Sequence, residues 1–321
     1  MIAGRNAARV EALAVELGLD FRVFSLDDPA AIDRALGEVA VVLHCAGPYI
    51  HTYKQVVGGC LRTGVHYLDL TGEIAVLDAL AARDAEAKSR KVMLLPAVGF
   101  DGVPTDCLAL HLRQRLPSAT HLALAFQSWG PARLPPGTAT TAIESAVPYG
   151  FKIRRNGQLE VFPRMSKIRW IDFGQGPIKA SLYPWSDVFT AFYSTGIPDI
   201  EDYTAGDERL LLAALTLLRP LFRYSTVRRF FRSMLKTGST PEERARSGTR
   251  VWGEVENDQG RKAVSRLQGP DGGVTWTSLA ALAVVKRVLA GEVLPGFQTP
   301  ALAYGPDLVM ECEGVSRLDV T

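Results

Sequence analysis

The sequence is poor in the residues that build metal centres and covalent frameworks. Its 321 residues hold four cysteines, Cys45, Cys60, Cys107 and Cys312, and five histidines. No two cysteines stand close enough for a CxxC motif, and the histidines form no HxH or HExxH pattern, so no metal site is expected. A chain this long can bury enough core to fold without disulfides, which favours reduced thiols and a cytoplasmic location. An excess of one charge is also missing. Thirty-six basic and 34 acidic residues leave a net charge of +2, too little to point to nucleic acid. The longest apolar run, residues 210–218, is too short to span a bilayer. Internal repeats and low-complexity segments are lacking as well.

What is present is an ordinary globular composition, 47% apolar and 22% charged. The first hundred residues alternate strand and helix patterns. A helix is predicted from Asn6, a natural N-cap, to Leu17, with Gly18 as its stop. An extended run follows at 21–26, then a helix opened by Asp28-Pro29 and reaching Leu36. Residues 39–45 form a nearly continuous apolar strand, as in a parallel sheet covered on both faces. A helix over 53–62, a strand over 66–70, a long helix over 73–89 and a strand over 92–96 complete the series. The class is α/β, a Rossmann-type doubly wound parallel sheet. Beyond Gly99 the rhythm changes to a mixed α+β domain. A helix is predicted over 106–116, a strand over 122–126 and a helix from Thr138 to Ser145. Helical segments lie within 208–236, broken near Pro220, and a hairpin pairs 251–257 with 261–267. A last helix covers 278–290. The expected division is a nucleotide-binding domain at 1–100, a substrate or dimerisation domain at 101–290, and a segment at 291–321 that packs back on the first domain. Homodimerisation stays open.

A dinucleotide fold normally opens with a strand, a glycine-rich turn and a helix, whose amides hold the pyrophosphate. That turn is absent. Gly174 and Gly176 lack a third glycine at the right spacing, and Gly58-Gly59 lies inside a helical pattern. The opening residues read instead as the end of the second strand of such a fold. Two explanations are open, an upstream segment or a natural loss of the pyrophosphate site, and truncation is the expectation. The end of the second strand meets the adenosine ribose. NAD enzymes usually place an acid there, whereas Arg5 would pair with the 2′-phosphate of NADP. Asn6 adjoins it. Ser25, Leu26 and Asp27 end the next strand, where adenine would lie. Ala46, Gly47 and Pro48 end the one after, on the path of the cofactor's nicotinamide half. For Arg5 the plain alternative is an exposed surface residue, and for Gly47 a simple strand-ending turn.

Six segments carry a family resemblance: Ala3–Asn6 (AGRN), Val41–Tyr49 (VVLHCAGPY), His66–Glu73 (HYLDLTGE), Gly99–Asp106 (GFDGVPTD), Val251–Val255 (VWGEV) and Pro295–Pro300 (PGFQTP). Spread over nearly the whole chain, they make it resemble the saccharopine dehydrogenase-like oxidoreductases, including the trans-acting enoyl reductase group. The resemblance implies a Rossmann domain, a second domain with a mixed sheet, and NAD(P) as cofactor. It does not imply saccharopine as substrate.

Hydride transfer to a carbonyl, enone or imine needs a proton donor and a group that polarises the acceptor. Tyr67, Asp69, Glu73 and Asp101 are the candidates by position, since ligands of an open parallel sheet sit beyond the carboxyl ends of its strands. The competing reading is that Asp69 and Glu73 cap the helix they precede, and that Asp101, Thr105 and Asp106 serve the next one. Gly137 to Thr141 could hold an anionic group or form an N-cap cluster. Residues 225–236 place Val227, Phe230, Phe231, Met234 and Leu235 on one helical face and Arg228, Arg229, Arg232 and Lys236 on the other. Such a helix suits a lipid-like substrate or a peripheral membrane contact, and equally a surface helix packed on its own core. The leading expectation is an NADP-dependent oxidoreductase acting on a small molecule. The alternatives are a non-catalytic nucleotide-fold binding protein and a membrane- or lipid-associated protein.

Overall fold

The computed structural model describes residues 1–141, 151–162, 167–183, 185–206, 219–234 and 238–320. Its first part follows the alternating pattern: β1 (Ile2–Gly4), α1 (Ala7–Leu17), β2 (Phe21–Val23), α2 (Pro29–Leu36), β3 (Val41–His44), α3 (Tyr49–Thr63), β4 (His66–Asp69), α4 (Ile74–Ala81), α5 (Asp84–Ser89) and β5 (Met93–Leu95). Local chemistry sets several of these ends. The Asn6 side chain accepts from the Arg9 amide, and Gly18 takes the left-handed conformation that ends α1. Asp28 caps α2 with Pro29 in its first turn.

Two boundaries differ from the sequence pattern. The helix expected over 53–62 starts at Tyr49, because a carboxylate from elsewhere satisfies its first amides, as described below. The single helix expected over 73–89 is two. Arg83 leaves helical geometry between them, and Asp84, at the start of α5, accepts the Phe297 amide through its side chain while pairing with Lys88.

The second part runs α6 (Val103–Arg115), β6 (His121–Trp129), α7 (Pro136–Thr141), β7 (Phe151–Arg155), β8 (Gln158–Phe162), β9 (Ile168–Asp172), β10 (Pro177–Leu182), α8 (Asp187–Thr195) and β11 (Asp199–Ala205). It continues through a 3-10 turn (Arg219–Arg223), α9 (Ser225–Met234), α10 (Pro241–Ala245), β12 (Gly248–Glu256), β13 (Lys262–Pro270), α11 (Thr277–Leu289), β14 (Gly296–Phe297), α12 (Pro300–Tyr304) and β15 (Ser316–Val320). The β12–β13 hairpin has the expected pairing, with Glu256 opposite Lys262. Helix α6 starts three residues before the expected Asp106, since Pro104 suits its first turn. Residues 142–145, 207–218 and 235–236, where further helical structure was expected, lie outside the described residues.

Strands β3, β4, β5 and β14 form a parallel sheet in that order, and β1 pairs in parallel with β2. In a doubly wound order 3-2-1-4-5-6 these strands take places 3 and 2 (β2, β1) and 4, 5 and 6 (β3, β4, β5). Place 1 is held by none of the described strands, and the edges of β1 and β3 that would flank it pair with none. The larger sheet follows β15-β13-β12-β6-β11-β10-β9, with β7 paired to β11 and β8 to β7. One core joins the two sheets: Leu68, Met93 and Leu95 pack with Val103 and Leu108 of α6, Val284 of α11 and Val251 of β12. Gly59 allows α2 and α3 to meet, since a Cβ there would stand 2.6 Å from Ile32 Cγ2.

Candidate functional site

The carboxyl ends of β3, β4 and β5 meet the larger sheet at one cleft. After β3 the chain turns through Cys45, Ala46, Gly47 and a cis Pro48 into α3. No side chain at Pro48 caps that helix. Glu73 does so from 24 residues away: one carboxylate oxygen accepts the Tyr49 amide at 2.7 Å and the other the Ile50 amide at 3.0 Å. The helix dipole favours the negative charge there. Glu73 therefore caps α3 and makes no side-chain cap bond to α4, the helix it precedes.

Asp69 is wholly buried at the end of β4. Its Oδ1 accepts the amides of Thr71 at 2.9 Å and Ala97 at 3.0 Å, and the Tyr67 hydroxyl donates to Oδ2 at 2.8 Å. Burial outweighs these bonds and pushes the carboxyl up to about 6. The Tyr67 hydroxyl, equally buried and beside this carboxylate, is pushed well above its ordinary value. His44, at the end of β3, lies against the Thr52 hydroxyl at 2.9 Å and is lowered to about 4 by burial. The loop after β5 is tight: a Cβ on Gly102 would fall 1.9 Å from the Ala97 carbonyl oxygen.

The cleft opens into a cavity of about 640 Å³. Ala46, Gly47 and Glu73 line it from the first sheet, and Phe100 and Asp101 from the loop after β5. Phe126, Trp129 and Lys152 face it from the larger sheet, Trp185 from the connection between β10 and α8, and Asp271 from the turn after β13. Of the four catalytic candidates, Glu73 and Asp101 line this cavity. Tyr67 and Asp69 lie beneath it, bonded to each other. Of the cofactor candidates, Ala46 and Gly47 line it. Arg5, Asn6, Ser25, Leu26, Asp27 and Pro48 do not: Asn6 caps α1, Ser25 and Asp27 bond within their own turn, Leu26 packs on the core under α3, and Arg5 is exposed.

The expected service of Asp106 to its own helix takes another form. Its carboxylate receives the Ser194 hydroxyl at 2.5 Å and the Ala301 amide at 2.8 Å, tying α6 to α8 and α12. Thr105 donates to Asp187. Thr138 and Thr140 reach the cavity, with the Thr140 hydroxyl bonded back to the Pro136 carbonyl at 2.9 Å. Sequence reasoning did not single out Trp129, Lys152, Trp185 or Asp271. They come from distant strands and turns, and only the pairing of the larger sheet brings them together. Among the described residues no group of three or more histidine, cysteine or acidic side chains could hold a metal ion.

Residues 1–95 match the family model described as the saccharopine dehydrogenase NADP binding domain. Over these residues the chain is similar to the saccharopine dehydrogenase-like oxidoreductases. A trans-acting enoyl reductase of Mycobacterium leprae is 30% identical over 121 residues, 36% of this chain and 29% of that protein. A human saccharopine dehydrogenase-like oxidoreductase is 27% identical over 127 residues, again 36% of this chain and 30% of that protein. The matched stretch thus spans under a third of the curated relatives' length. The apo structure of saccharopine dehydrogenase (L-Glu forming) from Saccharomyces cerevisiae superposes with a TM-score of 0.65 at 14% identity, covering 99% of this chain and 93% of that one. That likeness gives the fold.

An NADP(H) molecule fits part of what the described residues offer. Gly47 lines the cavity at the strand end where the nicotinamide half would pass, and a Cβ there would press on the Tyr49 ring at 3.3 Å. Arg5, at the end of β1, is exposed and has no partner among the described residues, leaving its guanidinium available to a 2′-phosphate. No described residues supply a glycine-rich turn for the pyrophosphate.

Proposed function

We propose that the chain serves hydride transfer between NADP(H) and a carbonyl, enone or imine of an apolar small molecule. The observation that carries this reading is the cavity, where Ala46 and Gly47 from the nucleotide-binding side face Asp101 and the aromatic wall of Phe126, Trp129 and Trp185. The cofactor supplies or takes the hydride when bound. Phe126, Trp129 and Trp185 hold the substrate and exclude water, which strengthens polar interactions inside the cleft. Asp101 is the proton-holding candidate, because it lines the cavity on the loop after β5 while Tyr67 and Asp69 lie below it and Glu73 caps α3. The test is NADPH oxidation with a panel of alkyl enones, aldehydes and imines. Turnover that falls by about a hundredfold or more in Asp101→Asn, within the range of general acid–base contributions, supports the reading. No turnover with any member by a correctly folded chain that binds NADPH overturns it.

A second reading concerns α9, where Phe230 is 59% exposed beside exposed Arg229. Phe231 packs on the main core and Arg228 donates to the Phe222 carbonyl at 2.6 Å, so the apolar face divides and part of the basic face is engaged internally. We propose that Phe230 and Arg229, with the exposed Leu221 and Tyr224 nearby, give the chain a peripheral contact with an anionic lipid surface.

A further inference from the structure

The charged residues that line the cavity are Glu73, Asp101, Arg133, Lys152 and Asp271, and Arg133 pairs with Glu243 at 3.5 Å. Glu73 is held by the Tyr49 and Ile50 amides. Asp271 is held by the amides of Gly273, Val274 and Thr275 at 3.3, 3.0 and 3.3 Å. Lys152 stands differently. It sits in β7 opposite Val161, is half-buried, and lines the cavity. No carboxylate, carbonyl or hydroxyl among the described residues pairs with its ammonium.

Nearby cations of the same sheet are engaged. Arg154, two residues along β7, donates to the carbonyls of Val188 at 3.0 Å and Gly157 at 2.7 Å and lies 3.9 Å from the centre of the Phe192 ring. Arg169 pairs with Glu254 at 2.6 Å and Arg266 with Asp172 at 3.0 Å. A lysine drawn half out of water is favoured when a counter-charge meets its ammonium, and an anionic ligand in the cavity would supply one. Phe100, Phe126, Trp129 and Trp185 line the same cavity and offer apolar surface to a hydrocarbon.

We propose that Lys152 determines the substrate class of this cavity, which is an anionic amphiphile. Its carboxylate or phosphate pairs with the Lys152 ammonium, and its hydrocarbon part lies along Phe126, Trp129 and Trp185. The inference rests on the reading of this cavity as the substrate site. It adds a charge requirement that hydride transfer alone does not impose.

The experiment titrates the whole chain with decanoate, decyl phosphate, decanol and decyltrimethylammonium, following tryptophan fluorescence, since Trp129 and Trp185 line the cavity. Wild-type protein is expected to bind one or both anions about tenfold more tightly than decanol, as a charge-assisted bond allows, and the cationic probe least. Preference for decanoate assigns the carboxylate and preference for decyl phosphate the phosphate. Lys152→Gln should lose about tenfold in affinity for the preferred anion and bind decanol as before. Lys152→Arg should keep most of the preference, which guards against a mere folding defect. Three results overturn the inference: no binding of either anion, equal binding of anions and decanol, or unchanged anion binding in Lys152→Gln. A variant that loses NADPH affinity but keeps decanoate affinity would assign Lys152 to the cofactor and overturn it too. The hydride-transfer reading fails separately: anion selectivity without NADPH oxidation removes the reductase, and oxidation without anion selectivity removes this inference alone.

Discussion

The Glu73 carboxylate accepts the Tyr49 backbone amide at 2.7 Å, so a residue after β4 sets the start of the helix after β3. The same side chain takes the Ile50 amide with its other oxygen. Glutamine keeps the shape but must turn an NH2 group toward one of these amides. Glu73→Gln should therefore destabilise the fold by about 1–3 kcal/mol, the cost of a buried donor left unpaired together with the lost charge at the helix end. Urea unfolding measures this. A variant with unchanged stability and abolished turnover would instead make Glu73 an acid–base residue.

Asp69 gives a signed pH dependence. Its folded carboxyl is raised from 3.8 to about 6 by burial. Its contribution to stability is full below its ordinary value and is lost as pH rises through about 6. Asparagine can offer its oxygen to the Thr71 and Ala97 amides and its NH2 to the Tyr67 hydroxyl. Asp69→Asn should therefore gain about 2–3 kcal/mol relative to wild type between pH 4 and pH 7. His44, lowered to about 4, contributes with the opposite sign: its stabilisation is present above its ordinary value and is lost as pH falls toward 4. The difference between variant and wild type isolates Asp69 from this opposing trend. A difference that does not change with pH would mean that Asp69 titrates normally.

Arg5 follows β1, is exposed and has no partner among the described residues, and we expect it to pair with a 2′-phosphate. Arg5→Ala should weaken NADPH binding by about 1.5–3 kcal/mol, roughly tenfold or more, and leave NADH binding nearly unchanged. Parallel fluorescence titrations with both cofactors decide. Equal losses would give Arg5 a role in the fold and none in phosphate recognition.

The parts of this molecule that depend on near neighbours were legible in its sequence. Asn6, Gly18 and Pro29 mark helix ends because capping and φ restriction act within a turn. The apolar run at 39–45 marks the strand β3 because the pattern is local, although as an edge strand it is half-buried rather than covered on both faces. The site was legible on one side only. Ala46, Gly47, Glu73 and Asp101 follow strand ends whose order the alternating pattern predicts, and they line the cavity. Trp129, Lys152 and Asp271 reach it through the pairing of β6 with β11 and β12 and of β7 with β11, which no short-range pattern encodes. The start of α3 escaped for the same reason, since its cap lies 24 residues downstream.

Helix α9 offers a test in which charge and exposure must act together. Phe230 is 59% exposed, while its neighbour Phe231 packs on the core and holds the helix to the fold. An exposed phenylalanine alone is common on protein surfaces and identifies nothing. Residues 225–236 contain Arg228, Arg229, Arg232 and Lys236 and no acid, so this segment gathers positive charge on a chain of net charge only +2. Near an anionic bilayer each free cation adds about 1 kcal/mol, and salt screens the gain within about 10 Å at 0.1 M. Vesicles containing phosphatidylglycerol should therefore retain the protein at low salt and release it as salt rises, while phosphatidylcholine vesicles should not retain it. Arg229→Gln should lower retention without changing the unfolding midpoint, because that side chain has no partner among the described residues. Phe230→Ser should lower it further while leaving the Phe231 contact in place. If the wild-type protein ignores phosphatidylglycerol at low salt, α9 is an ordinary surface helix, and its arginines serve only to keep Phe230 in water.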